Sequence, residues 1–144
     1  ISIMTVSTVV TRLFTSKLSD VKGRVYSCKI GTSFWIIGAT LLIFRQIELF
    51  YLAAIFCGFA SGINSPALFA WAVDVANGER AGRAMATLFI ALEIGITIGA
   101  FVSAFIYDNV FVNFSLVFLF IGILCAAALA YLFFGVKKTR NQWV

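Results

Sequence analysis

The chain has 144 residues, of which 62% are hydrophobic and only 12% are charged, with a formal net charge of +5. Soluble domains contain about 45 to 50% apolar residues, so this composition excludes an ordinary water-soluble globular domain. The sequence has no histidine and no close cysteine pair, and it shows no nucleophile motif or paired carboxylates. We therefore predict no catalytic residue, no metal site, no cofactor and no enzymatic activity.

Apolar runs recur along the chain, separated by short polar breaks. A hydrocarbon core of about 30 Å needs about 20 helical residues, and continuous rather than alternating runs favour helices over a barrel. The predicted fold class is all-α, a polytopic membrane helix bundle that forms a single domain over residues 1–144. The predicted spans are residues 1–16, 28–44, 49–73, 83–107 and 113–135, followed by a basic tail at 136–144.

The polar breaks alternate in charge. Basic residues collect in the breaks at 17–27 and 74–82 and in the tail. The breaks at 45–48 and 108–113 have Arg45 as their single basic residue. The positive-inside rule places the basic breaks and the C-terminus in the cytoplasm, and it explains the net charge without a nucleic acid partner. Five spans with a cytoplasmic C-terminus require the first span to begin on the outer side of the membrane. We therefore expect further protein before Ile1.

Small residues recur at helical spacing in two spans. Gly58 and Gly62 form a GxxxG pattern in the third span, and Gly95 and Gly99 follow the same spacing in the fourth. Such stripes allow close packing of helices in lipid, with lining of a substrate path as the alternative. Three cysteines are expected to be small buried residues rather than ligands or disulfides, namely Cys28, Cys57 and Cys125.

The third span also contains Pro66, the only proline. A proline removes a helical donor, so a kink is expected near residues 62–65. Ser61, Asn64 and Ser65 cluster at this point, near the middle of the bilayer. They are candidates for substrate binding, as in discontinuous transporter helices, or they only satisfy the kinked backbone.

Glu93 is the one acid that lies deep in a predicted span. A carboxylate is costly in hydrocarbon, so we expect Glu93 to face the bundle interior and to pair, to bind a cation or to stay protonated. It is the candidate for proton coupling or substrate binding, with a structural hydrogen bond as the alternative.

The stretch "LSDVKGR" resembles the cytoplasmic loop motif of the major facilitator superfamily, in which Asp20, Gly23 and Arg24 match. Ser16 replaces the first glycine of the motif and Val21 its first basic residue. The following polar break, with its acid and its "GERAGR" run, is also similar to the family pattern.

The resemblance implies half of a transporter that is built from two helix bundles. The positions that depart from the family pattern favour helices eight to twelve of its twelve. The family arginine is absent before Gly58, where Ala54 stands, and the fifth-helix signature of antiporters is incomplete after Gly99. The resemblance also implies a gate latch, in which Asp20 caps a neighbouring helix and Arg24 pairs with acids such as Asp74. The candidate gate residues are Asp20, Gly23, Arg24, Asp74 and Arg80, and Gly23 is expected to permit a tight turn between Lys22 and Arg24.

These observations predict an integral membrane protein, with the bacterial cytoplasmic membrane as the expected location. The predicted function is secondary active transport of a small solute by alternating access. The expected partners are the lipid bilayer, an amino-terminal bundle of the same transporter and an unidentified small molecule, with protons as a candidate coupling ion. The alternative is a membrane scaffold or assembly subunit that transports nothing and packs through its GxxxG faces.

Overall fold

The computed structural model describes residues 2–44, 46–76, 80–107 and 113–140, without the side chains of Phe14, 16–22, Asn113 and 136–140. Every element in these ranges is an α-helix, which confirms the all-α class. The helices are α1 (Ser2–Lys22), α2 (Arg24–Ile43), α3 (Ile47–Val75), α4 (Ala81–Tyr107) and α5 (Asn113–Arg140).

Four of these helices, α2 to α5, are long and apolar enough to cross a membrane, and α1 contributes a shorter apolar stretch, Ser2–Leu13. The helices extend past the predicted spans, and the predicted break at 17–27 is wrong as a loop because only Gly23 separates α1 from α2. Charged residues mark the point where a helix leaves the hydrocarbon, and a helix continues into the polar interface. The position of the first charged residues therefore did not predict where the helix ends.

The joint between α1 and α2 depends on the backbone of Gly23. This residue has φ 90° and ψ 152°, a combination that side chains disfavour strongly. The amide of Ser27 donates to the Gly23 carbonyl at 3.2 Å, which begins the next helix. Gly23 thus makes the tight turn that the sequence predicted for it.

Helix α3 lies at the centre of the bundle. It packs against α1 on one side and α2 on another, while α5 packs mainly on α2, and α4 has smaller contacts with α3 and α5. Because lipid is as apolar as a leucine side chain, packing density rather than burial from water holds such helices together. The small residues at the α3 contacts therefore decide how closely the bundle closes.

The contact between α1 and α3 is made through glycine. An added Cβ at Gly58 would lie 2.6 Å from the Ser7 Cβ, and one at Gly62 would lie 2.7 Å from the Thr11 Cβ. The Thr8 hydroxyl donates to the Gly58 carbonyl at 3.2 Å across the same contact. Both GxxxG glycines thus let two helix backbones approach, which is the packing role predicted for them.

The second glycine stripe behaves differently. None of the described atoms lies within 4 Å of a Cβ at Gly95 or Gly99, and α4 has no buried residue. The close packing predicted for this stripe is therefore wrong within the described bundle. The glycines of α4 leave an open helix face, since α4 is covered only where it touches α3 and α5.

We predict that Gly62→Ala destabilises the full-length protein by about 1 to 3 kcal/mol, the usual cost of overpacking. The new methyl would meet the Thr11 Cβ at 2.7 Å and the Thr8 carbonyl oxygen at 2.9 Å. Thermal unfolding in detergent measures the effect. Gly82→Ala is the matched control because a Cβ there meets nothing within 4 Å. Equal melting temperatures for the two variants would contradict the packing role of Gly62.

Candidate functional site

The polar cluster of α3 lies in the middle of an unbroken helix. Helix α3 continues through Pro66, and its middle residue is Ser61. Proline removes the amide that would bond to the Gly62 carbonyl, so this turn is weakened without ending the helix. Ser61, Asn64 and Ser65 are all partly buried there.

Asn64 faces α2. Its side chain occupies the space beside Gly31, where an added Cβ would lie 2.7 Å from the Asn64 Cγ. The Asn64 Oδ1 atom is buried and has no hydrogen-bond donor among the described residues. A buried carbonyl without a hydrogen bond costs about 1 to 3 kcal/mol. The Asn64 Oδ1 atom is therefore an acceptor at which a hydrogen-bond donor would be stabilising.

A cavity of about 450 Å³ adjoins Asn64 between α2, α3 and α5. Its lining is mostly apolar and aromatic, and it includes Trp35, Trp71 and Tyr131 together with Cys125. Cys28 and Leu132 line the cavity and also form a buried cluster with Ala67. Two of the three cysteines are buried and Cys125 is half-buried, and all three are free thiols.

Glu93 does not face the interior of the described bundle, so that expectation is wrong there. It is exposed, one residue from the middle of α4, and its carboxylate forms no ion pair with a described residue. The exposed residues at helical spacing from it are the small or polar Thr97, Ala100 and Ala104 together with the large apolar Phe89, Ile90 and Ile96. The acid thus lies on the side of α4 that α3 and α5 leave uncovered.

Sequence reasoning missed Arg12. This arginine lies in the middle of α1 and is exposed, and no described carboxylate lies within ion-pair distance of it. The available signal was an ionisable residue next to the end of the apolar stretch Ser2–Leu13, since such residues are candidates for function. The run of basic residues that begins at Lys17 drew attention away from it.

The helix contacts place these residues at one depth. Thr11 meets Gly62 across the α1–α3 contact, which puts Arg12 level with about residue 63 or 64 of α3. The rings of Phe69 and Phe89 lie 5.5 Å apart, and Glu93 is one helical turn further along α4, level with about residue 65. Arg12, Asn64 and Glu93 therefore lie within about 5 Å of one another in depth, at 1.5 Å of rise per residue.

The predicted gate residues lie at one end of the bundle. Arg24 Nε donates a hydrogen bond to Asp74 Oδ2, and the two side chains are 33% and 52% exposed. Arg80 is exposed in the turn before α4, and the side chain of Asp20 lies outside the described residues. The structure thus brings together Arg24 and Asp74 of this group.

A second cation strengthens the same end of the bundle. The Lys29 ammonium lies 4.1 Å from the centroid of the Phe133 ring, which joins α2 to α5. A cation over an aromatic face contributes about 0.5 to 1 kcal/mol at an exposed site. Helix α2 is therefore held to α3 and to α5 by separate basic residues.

A family model described as Major Facilitator Superfamily matches residues 1–144. The chain belongs to the Major Facilitator Superfamily. Members of this superfamily are membrane transporters, so the chain is an integral membrane protein of the major facilitator type. No curated protein and no solved structure matches the chain.

We predict that Gly31→Ala destabilises the full-length major facilitator protein by about 1 to 3 kcal/mol and that Asn64→Ala relieves much of that loss. The added methyl would lie 2.7 Å from the Asn64 Cγ, so either the Asn64 amide or one of the two helices would have to shift. A double-mutant cycle from thermal unfolding measures the coupling. Purely additive effects of the two substitutions would contradict the contact.

Proposed function

We propose that this chain is one bundle of a secondary active transporter that moves a small solute by alternating access. The observation that carries the proposal is the exposed carboxylate of Glu93 in the middle of α4. A carboxylate that faced lipid at this depth would be strongly unfavourable. The uncovered face of α4 is therefore suited to a second bundle and a water-filled path rather than to hydrocarbon.

The face around Glu93 is mixed in composition. Thr97, Ala100 and Ala104 lie at helical spacing from it, and so do three large exposed apolar residues, Phe89, Ile90 and Ile96. The carboxylate itself, rather than the size of its neighbours, therefore supports the proposal. We place the chain as the carboxy-terminal bundle, helices eight to twelve, against an amino-terminal bundle. The assignment rests on the partial loop motif around Gly23 and on the departures from the first-half pattern.

The orientation is part of the proposal. Arg24, Arg80 and Arg83 lie at the starts of α2 and α4, at the same end of the bundle as the C-terminal end of α3. The positive-inside rule then assigns this end to the cytoplasm, with the bacterial cytoplasmic membrane as the proposed location.

The Arg24–Asp74 pair is the proposed gate contact of the transporter. Arg24 begins α2 and Asp74 lies near the end of α3, so each charge occupies the helix end whose dipole disfavours it. Their pairing offsets both unfavourable interactions. Because α2 and α3 belong to the same bundle, we propose that the pair acts by holding their ends in the arrangement that meets the amino-terminal bundle when this end is closed. Asp20 remains a proposed member of the same latch.

We predict that Glu93→Gln abolishes coupled transport while leaving the fold intact. Purified full-length protein is reconstituted in vesicles that contain a pH-sensitive dye, and gradients of malonate, glucose or tetraphenylphosphonium are imposed. We expect one of these probes to move protons with it in the parent protein, and Glu93→Gln to lower that rate at least about tenfold, because the ionisable group is lost.

Glu48→Gln is the matched control, because Glu48 is an exposed acid at the outer end of α3. Equal rates for the parent protein and Glu93→Gln would contradict the role of Glu93. No flux of any probe above that of protein-free vesicles would contradict the transport proposal and would favour a scaffold.

We predict that Asp74→Asn shifts the balance between inward-open and outward-open states toward inward-open. A partly exposed ion pair contributes at most about 1 kcal/mol, so we expect a shift of no more than about fivefold. Single reporter cysteines on each side, introduced after removal of the three native cysteines, report the balance through their labelling rates. An unchanged ratio would rule out the latch, and high salt is expected to reproduce part of the shift.

A further inference from the structure

Helices α2 and α5 differ from the rest of the chain in their charge composition. Neither helix contains an acidic residue, and both carry basic residues at the same end of the bundle. These residues are Arg24 and Lys29 near the start of α2 and Lys137, Lys138 and Arg140 at the end of α5. Arg24 pairs with Asp74 of α3. The basic residues other than Arg24 therefore leave a surplus of positive charge along the groove between α2 and α5.

Lys29 lies across this groove. Its ammonium is 4.1 Å from the centroid of the Phe133 ring of α5. Phe133 is 51% exposed, so the contact lies on the surface of the bundle and not in its core. An aromatic face attracts a cation through its quadrupole but carries no net charge. The charge of Lys29 is thus held at the surface without being neutralised by the ring.

Lys29 points away from the acids on its neighbouring helices. It follows Arg24 by five residues, which is about 140° of rotation around α2 at 3.6 residues per turn. Arg24 accordingly reaches Asp74 on α3, whereas Lys29 reaches α5. The acid nearest to Lys29 in the sequence is Asp20 of α1, and α1 makes no contact with α5 within the described ranges. The groove therefore turns its cation outward, towards the surrounding membrane.

The depth of Lys29 matches the lipid headgroup layer. The partly exposed charges of Arg24 and Asp74 belong to the polar interface, and Lys29 lies five residues, or about 7.5 Å, further along α2. That distance is close to the thickness of one headgroup layer, about 5 to 8 Å. A lysine at the inner edge of this layer keeps its stem in apolar surroundings and extends its ammonium to the phosphates. Tyr26, 46% exposed on the same helix, is typical of the same layer.

We propose that the basic end of the α2–α5 groove is a binding site for an anionic phospholipid, whose phosphate is held by Lys29 and by the last turn of α5. Lys137 follows Phe133 by four residues, so the two positions share one face of α5. Towards the membrane centre this face continues through Ala130 and Ala126, which are exposed and small enough for an acyl chain to lie beside them. Basic clusters between membrane helices bind anionic lipid headgroups in this way. The inference depends on neither the solute nor the transport cycle.

The test measures thermal unfolding of the purified full-length protein in detergent at constant ionic strength. Dioleoylphosphatidylglycerol is titrated in one series, and dioleoylphosphatidylcholine, with the same acyl chains and no net charge, in the other. We expect only phosphatidylglycerol to raise the melting temperature saturably. A basic residue near an anionic headgroup contributes about fivefold in affinity, so Lys29→Gln is expected to raise the half-saturating lipid fraction about fivefold. Lys29→Arg retains the charge and is expected to respond as the parent does.

Arg83→Gln is the matched control. It removes one exposed cation from the same end of the bundle, on α4, and α4 makes no contact with α2 among the described residues. We expect its lipid response to equal that of the parent. Equal losses in Arg83→Gln and Lys29→Gln would show a diffuse attraction to the whole basic end and would overturn the site.

Lys137→Gln is the second variant, because substitutions near the end of a chain disturb folding least. It is expected to weaken the response to phosphatidylglycerol about as much as Lys29→Gln does. A parent-like response in both lysine variants would overturn the proposal, even if one of them unfolded at a lower temperature without lipid.

Two further outcomes distinguish the lipid from its parts. Equal stabilisation by phosphatidylcholine and phosphatidylglycerol would show that the acyl chains act alone, and it would remove the role of the charge. Soluble glycerol phosphate is expected to have no effect at the same concentrations. A rise in melting temperature with glycerol phosphate that is lost in Lys29→Gln would show a site for a free phosphate and would overturn the assignment to a membrane lipid.

Discussion

The close approach of α3 to its neighbours is the contact on which the rest of the bundle depends. Glycines allow this close approach on both sides of α3. Gly58 and Gly62 let α1 lie directly against α3, and Gly31 and Gly38 of α2 leave space for side chains of α3. In lipid, helices gain little from hiding apolar surface, so this steric fit carries the association. It also sets the register between helices, and the register decides which polar groups share a depth.

The polar groups of the bundle divide into two classes. Most hydroxyls bond to a carbonyl of their own helix one turn back, as Thr11 does to Ser7 at 2.6 Å and Thr32 to Cys28 at 2.8 Å. These groups are satisfied before any tertiary contact forms and carry no functional signal. Among the described residues, the Asn64 carbonyl is buried without a donor, and Arg12 and Glu93 form no ion pair. Polar groups of this kind are costly inside a membrane, so they are the candidates for function.

The number of helices in the described ranges and the turn at Gly23 could be predicted because both follow from local rules, the length of apolar runs and the conformational freedom of glycine. The helix ends and the direction of Glu93 could not. Helices continue into the interface where charge begins, and the side to which a residue points depends on which neighbours are present. The shared depth of Arg12 and Glu93 required two contacts with α3 that no single span encodes.

A gate contact must be weak to work. Transport requires both states to be populated, and each 1.4 kcal/mol of preference changes their ratio tenfold, so a strong buried pair would hold the bundle closed. The Arg24–Asp74 pair meets this requirement because both side chains remain partly exposed, at 33% and 52%. Both charges occupy the helix ends whose dipoles disfavour them, which lowers the net stabilisation that the pair provides. A pair this weak suits the proposed gate contact, because solute binding can then reverse the preference for the closed state.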